Sequence, residues 1–446
     1  MEEYIKILLE QIRFEKAHKA IGDEIRAHIE DQAEANISEG MDKATAEKKA
    51  LEDMGDPVET GIALDKVHRP QLAWEFVVAT LAVTVFSIIL HIFMTKQLNW
   101  GLAFQISKGH IVQEGTMFVF YSLVGVAVML LLYLMDFTTI AKYSKIAGII
   151  LLISYFASLY WVWMPNPDSV DYEIARLFND LNSRVDSLMF LMIPIYAGIL
   201  YKYRGQKYGG LVKAVMWILI CTFLLSFYDG KYGFETMAIT MVCMLAQLTI
   251  AIKKEWIKVR KAPAIIFIWS LLVLPIISVI KTFSLYDFWY EEITIRPIIR
   301  SAKLFGRGQV SGDSIDCVED INILTYISTT MGIGIAIAVI AAILGLIIYG
   351  LIVTAKTKNQ LGLVMGIGCM MWLIEKVIFN MTFGFGLFFD YSSASFLPFI
   401  SGGLRFDGLL ASYAMFGIIL SIYKYKNAYA EHVDISLRAR SKDMGV

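Results

Sequence analysis

Ten long apolar stretches, separated by polar segments, dominate the pattern of residues along this chain. A helix needs roughly 20 mostly apolar residues to cross a bilayer, because lipid offers no hydrogen-bond partner to an exposed backbone group. The pattern therefore predicts an all-α, polytopic membrane protein with about ten transmembrane helices. The predicted spans run approximately over residues 74–94, 117–136, 144–164, 187–203, 210–228, 234–252, 263–282, 323–354, 361–389 and 409–424.

The first 70 residues are polar and contain no such stretch. Apolar residues recur at helical spacing in MEEYIKILLEQI, which predicts a first amphipathic helix. Two more helices are expected over DEIRAHIEDQAEANISEGM and TAEKKALEDMG, with Thr45 capping the third helix and Gly55-Asp56-Pro57 ending it. We expect residues 1–70 to form a small cytoplasmic helical domain, followed by a membrane domain over residues 71–430 and a cytoplasmic tail over residues 431–446.

Composition and charge agree with a membrane protein and indicate its orientation. The chain is 57% hydrophobic and 18% charged, with a mean hydropathy of +0.58, which is atypical of a soluble globule. Basic residues are concentrated in alternate loops, so the positive-inside rule predicts that these loops and both termini are cytoplasmic. The acidic loop around Asp168 and Asp186 is then outside. The basic loops carry Lys142 and Lys145; Lys202, Arg204, Lys207 and Lys213; Lys253, Lys254, Lys258, Arg260 and Lys261; Lys356 and Lys358; and Lys424 and Lys426.

The cysteines and histidines do not indicate a disulfide framework or a metal site. Of the four cysteines, Cys317 falls in a loop, and Cys221, Cys243 and Cys369 fall in three different predicted spans, where they are expected to be small apolar side chains. The spacing of the N-terminal histidines is too irregular for a set of metal ligands. We therefore predict no bound metal.

Three segments of the membrane part resemble the SEDS family of FtsW, RodA and SpoVE. They are LPFISGG at residues 397–403, LFGRG at residues 304–308, and SLVGVAVMLLLYLMDF, which ends near Asp136. The family's usual ending carries a Tyr and a Ser pair that this chain lacks, and Arg307 replaces the usual Lys. The segments EIRAHIEDQAEANISEGM and ALEDMGDPVETGIALDKVHRP resemble the permease prefix domain, which precedes the membrane part of proteins in Gram-positive bacteria.

The resemblance implies an activity, partners and a location. SEDS proteins have ten spans and polymerise lipid II into glycan strands at the outer surface of the bacterial plasma membrane. The implied partners are lipid II, a class B penicillin-binding protein and other cell-wall synthesis proteins, and we expect no nucleic-acid partner. The implied process is cell division, cell shape or sporulation, which the sequence does not distinguish.

Such a polymerase must deprotonate the attacking sugar hydroxyl, which calls for a carboxylate base. In the family the essential Asp lies at the end of the long outer loop between spans seven and eight. Gapless alignment on ILTYI puts Ile321 at that position and Asp320 one residue earlier. Asp320 is the candidate catalytic residue, with Glu319 beside it. Alternatively, these acids are merely solvated and the chain is a non-catalytic relative.

Cations suited to a pyrophosphate leaving group lie in the same loop, in IRPIIRSAKLFGR. Spacings of three and four predict several of them on one face of a helix, and the arginine fork can donate two hydrogen bonds to phosphate oxygens. The candidate substrate-binding residues here are Arg296, Arg300, Lys303 and Arg307. No cofactor is expected, with a divalent cation assisting the pyrophosphate as the alternative.

Two further groups of candidate substrate-binding residues lie near the end of the chain. In LPFISGG, the turn at Ser401, Gly402 and Gly403 could direct free N–H groups at an anion, or it could simply pack the last two spans together. In span nine, Glu375, Lys376 and Asn380 lie deep in an apolar stretch, where ionisable residues are costly and are functional candidates by default. We predict that Lys376 and Asn380 line a cavity reached by the lipid head group; a buried structural network is the alternative.

Three functions therefore remain open from the sequence. The first is a peptidoglycan glycosyltransferase that polymerises lipid II. The second is a flippase that moves lipid II across the membrane, and the third is a scaffold of the cell-wall synthesis complex without catalysis. The charged outer loop favours the enzyme, whereas the displaced Asp320 favours the scaffold.

Overall fold

In a computed structural model of the chain, the regular secondary structure of the described part is helical. No β-strand occurs in these residues, where only two isolated backbone bridges, Gln206 to Ile257 and Leu397 to Ile400, are found. The structure describes residues 1–97, 108–162, 188–226, 231–273, 299–308, 323–387, 397–400, 407–433 and 435.

Four helices form the N-terminal segment and enclose an apolar core of their own. Leu8, Ile25 and Ile29 are among the buried residues of this core. The helices are α1 Glu2–Glu10, α2 His18–Ser38, α3 Lys43–Asp53 and α4 Pro57–His68.

The predicted count and capping of these helices were wrong. Asp56 accepts a hydrogen bond from the Val58 N–H, and Pro57 occupies the first turn of α4. Gly55, with a φ of 77°, follows the end of α3 as predicted, but Asp56 and Pro57 also start a fourth helix, because proline suits the first helical turn. Asp42 caps α3 by accepting from the backbone N–H of Thr45, so Thr45 is not the cap.

The membrane part consists of apolar helices that match the predicted spans. Seven described helices are long and apolar enough to cross a membrane, and three shorter apolar helices fall within the other predicted spans. The chain is a multi-pass helical membrane protein, as predicted. The helices are α5 Trp74–Gln97, α6 Lys108–Leu134, α7 Phe137–Val162, α8 Met192–Tyr201, α9 Tyr208–Leu225, α10 Lys231–Lys253, α11 Lys261–Ser270, α12 Ile323–Thr330, α13 Ile333–Ala355, α14 Gln360–Gly384 and α15 Asp407–Lys424.

The eighth predicted span, residues 323–354, is two helices rather than one. The chain leaves α12 after Thr330, and Gly332 has a φ of 108° before α13 begins. An L side chain rarely adopts this conformation, so the glycine separates the helices. The short helix α12 packs against α14, where the Thr325 hydroxyl donates to the carbonyl of Gly384 at 2.7 Å.

The lysine-rich loops meet at one end of the helices, which we call the basic end. It is defined by Lys142, Lys202, Lys258, Lys358 and Lys426. The opposite end, called the far end, carries residues 299–308 and 397–400. The hydrogen bonds that join the loops of the basic end are Lys202 Nζ to Lys142 O, Lys258 N to Gln206 O, Tyr201 Oη to Val433 O, Lys358 N to Lys426 O and Gln71 N to Lys424 O.

Candidate functional site

Residues 299–308 at the far end form a short loop held against the turn between α12 and α13; we call it the fastened loop. Four backbone hydrogen bonds of 2.8–3.0 Å join the two segments. The loop is therefore held by long-range pairing rather than by a helix of its own. The bonds run from Gly306 N to Met331 O, from Gly308 N to Thr329 O, from Ile333 N to Lys303 O and from Gly334 N to Leu304 O.

Gly332 is the position that lets the fastened loop approach so closely. A Cβ placed on Gly332 would lie 2.6 Å from the carbonyl oxygen of Leu304 and 2.7 Å from the Cα of Phe305. These contacts are with backbone, which cannot swing away as a flexible side chain could. Both the positive φ and the close approach thus require glycine here.

The fastened loop presents cations to solvent beside apolar side chains. Arg300, Lys303 and Arg307 are all exposed. Leu304 is 65% exposed and Phe305 is 68% exposed, so two large apolar groups stand between the cations. This combination suits a ligand that has both phosphates and a lipid chain.

The predicted helix over these cations was wrong for residues 301–308, which are not helical. Gly306 has a φ of 81°, which interrupts helical geometry within the segment. Of the three cations in the fastened loop, only Arg300 lies in a helical turn. The cations are therefore brought together by the fastened backbone and not by helical spacing.

Five predicted site residues lie outside the described residues, and their roles remain predictions. Ile323 is the first described residue after Asp320. The residues concerned are Asp320, Arg296, Ser401, Gly402 and Gly403.

The first half of LPFISGG packs into the helices. Phe399 is fully buried, and its ring lies edge-on to Tyr413 and Phe416 at centroid distances of 5.3 and 4.9 Å. Its φ of 64° is unusual for a side chain of this size, and Ile400 N donates to Leu397 O to close the turn. Residues 397–400 therefore anchor this turn on α15, which agrees with the packing alternative for this part.

Lys376 and Asn380 lie in the interior between helices. Lys376 is 7% exposed and Asn380 is fully buried, and the Lys376 ammonium lies 5.9 Å from the ring centroid of Trp372. On the facing helix α10, the Cys243 thiol donates to Glu375 Oε2 at 3.6 Å. The two predicted side chains thus belong to a polar layer inside the protein, not to its lipid-facing surface.

A stripe of polar residues on α5 was missed from the sequence. Thr80, Thr84, Ser87 and His91 follow each other at spacings of four, three and four in an otherwise apolar helix, and all four are buried. Ionisable residues in a membrane span are candidates by default, so His91 carried a signal that could have identified it. Neither ring nitrogen of His91 has a hydrogen-bond partner among the described residues.

The far half of this stripe faces α6 and α15. The Tyr413 hydroxyl donates to Thr84 Oγ1 at 2.8 Å, while its ring packs on Gly125, where a Cβ would come within 2.1 Å. The His91 ring stacks on Phe118 at 4.0 Å. Ser122 Oγ is also buried, near the Tyr413 hydroxyl. Buried polar atoms of this kind are usually satisfied by ordered water.

The N-terminal helices dock onto the basic end through a buried carboxylate. Lys16 Nζ lies 2.5 Å from Asp136 Oδ2, and the Tyr429 hydroxyl donates to the same oxygen. Burial and then the charge of Asp136 hold the pKa of Tyr429 well above its usual value. Phe14 lies against both Tyr425 and Tyr429, at centroid distances of 5.4 and 5.5 Å. The contact therefore joins the segment after α1 to the ends of α6 and α15.

The described residues show neither a metal site nor a disulfide. No group of three or more His, Cys, Asp or Glu side chains in this part of the chain could hold a metal ion. Cys221, Cys243 and Cys369 are free and buried, as predicted, whereas Cys317 lies outside the described ranges.

Comparison with known proteins gives structural neighbours only. No family model matches the sequence, and no curated protein is similar to it. One similar structure is a chain from a peptidoglycan synthase complex, reported for its structural coordination of polymerization and crosslinking. It is 12% identical, with a TM-score of 0.53, and the similarity covers 80% of this chain and 99% of that chain. The two chains therefore share a fold.

Another similar structure is the rod shape determining protein RodA of Thermus thermophilus. The identity is 12% and the TM-score is 0.43, over 80% of this chain and 97% of that chain.

Proposed function

We propose that this chain is a SEDS-family protein that polymerises lipid II at the outer surface of a bacterial plasma membrane. The basic end is then cytoplasmic, with both termini, and the far end faces outward. The observation that carries the proposal is the fastened loop, with its three exposed cations beside two exposed apolar side chains. The fold shared with a chain of a peptidoglycan synthase complex supports it.

The proposed reaction assigns a role to each group of residues. Asp320 takes the proton of the attacking sugar hydroxyl, and Arg300, Lys303 and Arg307, with Arg296, neutralise the departing lipid pyrophosphate. Leu304 and Phe305 lie against the first part of the lipid chain. We propose no protein-bound cofactor; a divalent cation carried by the pyrophosphate would assist the same leaving group.

The proposed partner is a class B penicillin-binding protein, together with other cell-wall synthesis proteins. The complex that contains the similar chain is described as coordinating polymerization and crosslinking, and this description supports a crosslinking partner. The test is to combine the purified chain, this partner and labelled lipid II, and to separate the products by electrophoresis. Glycan polymer is the expected product.

A non-catalytic scaffold is a second candidate, and one observation favours it. Ile321, rather than an acid, stands at the position that the resemblance assigns to the essential Asp. A scaffold would still bind the partner but would make no polymer. A flippase would instead move labelled lipid II across a vesicle membrane without the partner.

Lys376→Met is expected to slow polymerisation without destabilising the fold. A charge-assisted contact to the substrate is worth about 10- to 100-fold in rate. Methionine keeps the unbranched apolar stem of lysine, so the packing of this side chain near Trp372 is retained. The rate of polymer formation and the unfolding temperature are measured side by side. Lys358→Met, the same change at an exposed position of the basic end, is the control. Unchanged polymerisation in a folded Lys376→Met protein would show that Lys376 does not contact the substrate and belongs only to a buried structural network.

The N-terminal helices act, in this proposal, as a cytoplasmic docking and regulatory module. Their contact at Asp136 lies directly after α6, and the contact at Tyr425 lies directly after α15. Those two helices pack closely and carry Ser122 and Tyr413 towards the far end. A change at the docked contact can therefore be transmitted along α6 and α15 to residues 397–400, which pack on α15 at the far end.

Lys16→Glu is expected to release the docked helices. The change puts a second carboxylate beside buried Asp136. It also removes the charged hydrogen bond between Lys16 and Asp136, which stabilises the docked state by about 1–3 kcal/mol. Amide hydrogen exchange of residues 12–17 should rise at least about tenfold. Lys19→Glu makes the same charge change at a nearby exposed site and should have no effect. Lys16→Arg keeps a cation beside Asp136 and should retain protection. Unchanged exchange in Lys16→Glu would mean that the pair does not hold the helices.

A further inference from the structure

The basic end contains a shallow cationic cavity that none of these roles uses. Its volume is about 420 Å³, and it opens where α9 and α11 begin. Tyr208 lines one side of the cavity, and Glu255, Lys258, Arg260 and Lys261 line the other. The cavity therefore lies at the level where apolar helices leave the membrane.

The cavity is formed by two loops that are tied together. Gly205 N donates to Trp256 O and Lys258 N donates to Gln206 O, both at 2.8 Å. The Trp256 side chain is buried, and its Nε1–H donates to Gln360 Oε1 at 2.5 Å. These bonds hold the backbone from which the basic side chains extend, and they distinguish this segment from an ordinary polybasic loop.

The charges of the lining leave two cations available to a ligand. Lys261 Nζ pairs with Glu255 Oε1 at 2.7 Å, and this hydrogen bond and charge hold the pKa of Glu255 below its usual value. Lys258 and Arg260 are exposed and form no ion pair with any described residue. Three cations and one carboxylate give a net charge of two positive units in the cavity.

Apolar walls continue from the cavity along the membrane helices. Val212 and Met216 on α9 are exposed on one side, and Ile266 and Phe267 on α11 are exposed on the other. Both helices pack against α10, which lies between them. We propose that the cavity binds the phosphate head group of an anionic phospholipid, whose acyl chains lie along α9 and α11. A free anion would use the cations but would leave these walls without a role.

The proposal is tested on the full chain in nanodiscs of phosphatidylcholine with and without phosphatidylglycerol, by native mass spectrometry of the lipid retained. Lys258→Gln with Arg260→Gln should lower the affinity for phosphatidylglycerol about 25-fold, since each basic residue near an anionic head group contributes about fivefold. Glu255→Gln should raise it, because Lys261 is released from its ion pair.

Lys356→Gln with Lys358→Gln is the matched control, since it removes two exposed cations from the same end outside the cavity. This control should retain phosphatidylglycerol as the unchanged chain does. An equal loss of affinity in the control would show that the effect comes from the total charge of the basic end, and it would overturn the proposal. Displacement of phosphatidylglycerol by inorganic phosphate alone would also overturn it, in favour of a site for soluble anions.

Discussion

Asp320→Ala is expected to slow glycan polymerisation by about 10²- to 10⁴-fold, the usual contribution of a positioned general base. The attacking sugar hydroxyl is a poor nucleophile until its proton is removed, and alanine offers no group that can accept this proton. The measurement is the initial rate of polymer formation from labelled lipid II, with the partner in excess. Binding of lipid II should change little, because the cations of the fastened loop remain.

Asp313→Ala and Asp316→Ala are the matched controls, since they remove acids from the same loop. Both should polymerise at close to the unchanged rate. Equal losses at all three positions would show a general effect of loop charge rather than a base at Asp320. An active Asp320→Ala protein would mean that another group takes the proton.

Gly332→Val is expected to detach the fastened loop and with it most of the activity. Valine would have to adopt the φ of 108° and place its Cβ 2.6 Å from the Leu304 carbonyl. Backbone strain alone costs on the order of 1–3 kcal/mol, and the clash with backbone adds to it. The loop can relieve both by moving away, which breaks the bonds that Gly306 and Gly308 donate.

Hydrogen exchange at the amides of Gly306 and Gly308 reports this detachment directly, beside the rate of polymerisation. Gly345→Ala is the control, because a Cβ there would meet nothing within 4 Å and α13 should gain about 1 kcal/mol in helix propensity. Protected amides in a folded Gly332→Val protein would show that the loop does not depend on this glycine. Rapid exchange at these amides together with full activity would show that catalysis does not depend on attachment of the loop.

The spans could be predicted from the sequence because a membrane leaves the backbone little choice but a helix. The errors arose where an apolar pattern does not reveal local backbone geometry. The run over residues 323–354 looks the same whether the helix is continuous or broken at Gly332. Likewise, Gly55-Asp56-Pro57 follows the end of α3 as expected, but the start of a further helix at Pro57 depends on the hydrogen bond between Asp56 and Val58.

The candidate site was only partly predictable. The cations of the fastened loop follow from its charge, but its pairing with the turn after α12 depends on long-range backbone bonds that leave no periodic signal. The contact of Lys16 with Asp136 joins residues 120 positions apart, so no local pattern could indicate it. His91 differs, because the spacing of the four polar residues on α5 is visible in the sequence and would have placed them on one face of the helix.

We propose that this chain joins lipid II units, and the first measurement to make is the formation of polymer. Labelled lipid II is given to the purified chain with its penicillin-binding partner, whose crosslinking activity is blocked, and the products are separated by length. We expect a ladder of glycan strands that requires this chain and is lost in Asp320→Ala. A complex that forms and retains lipid II but leaves it unpolymerised would show that the chain is not a polymerase.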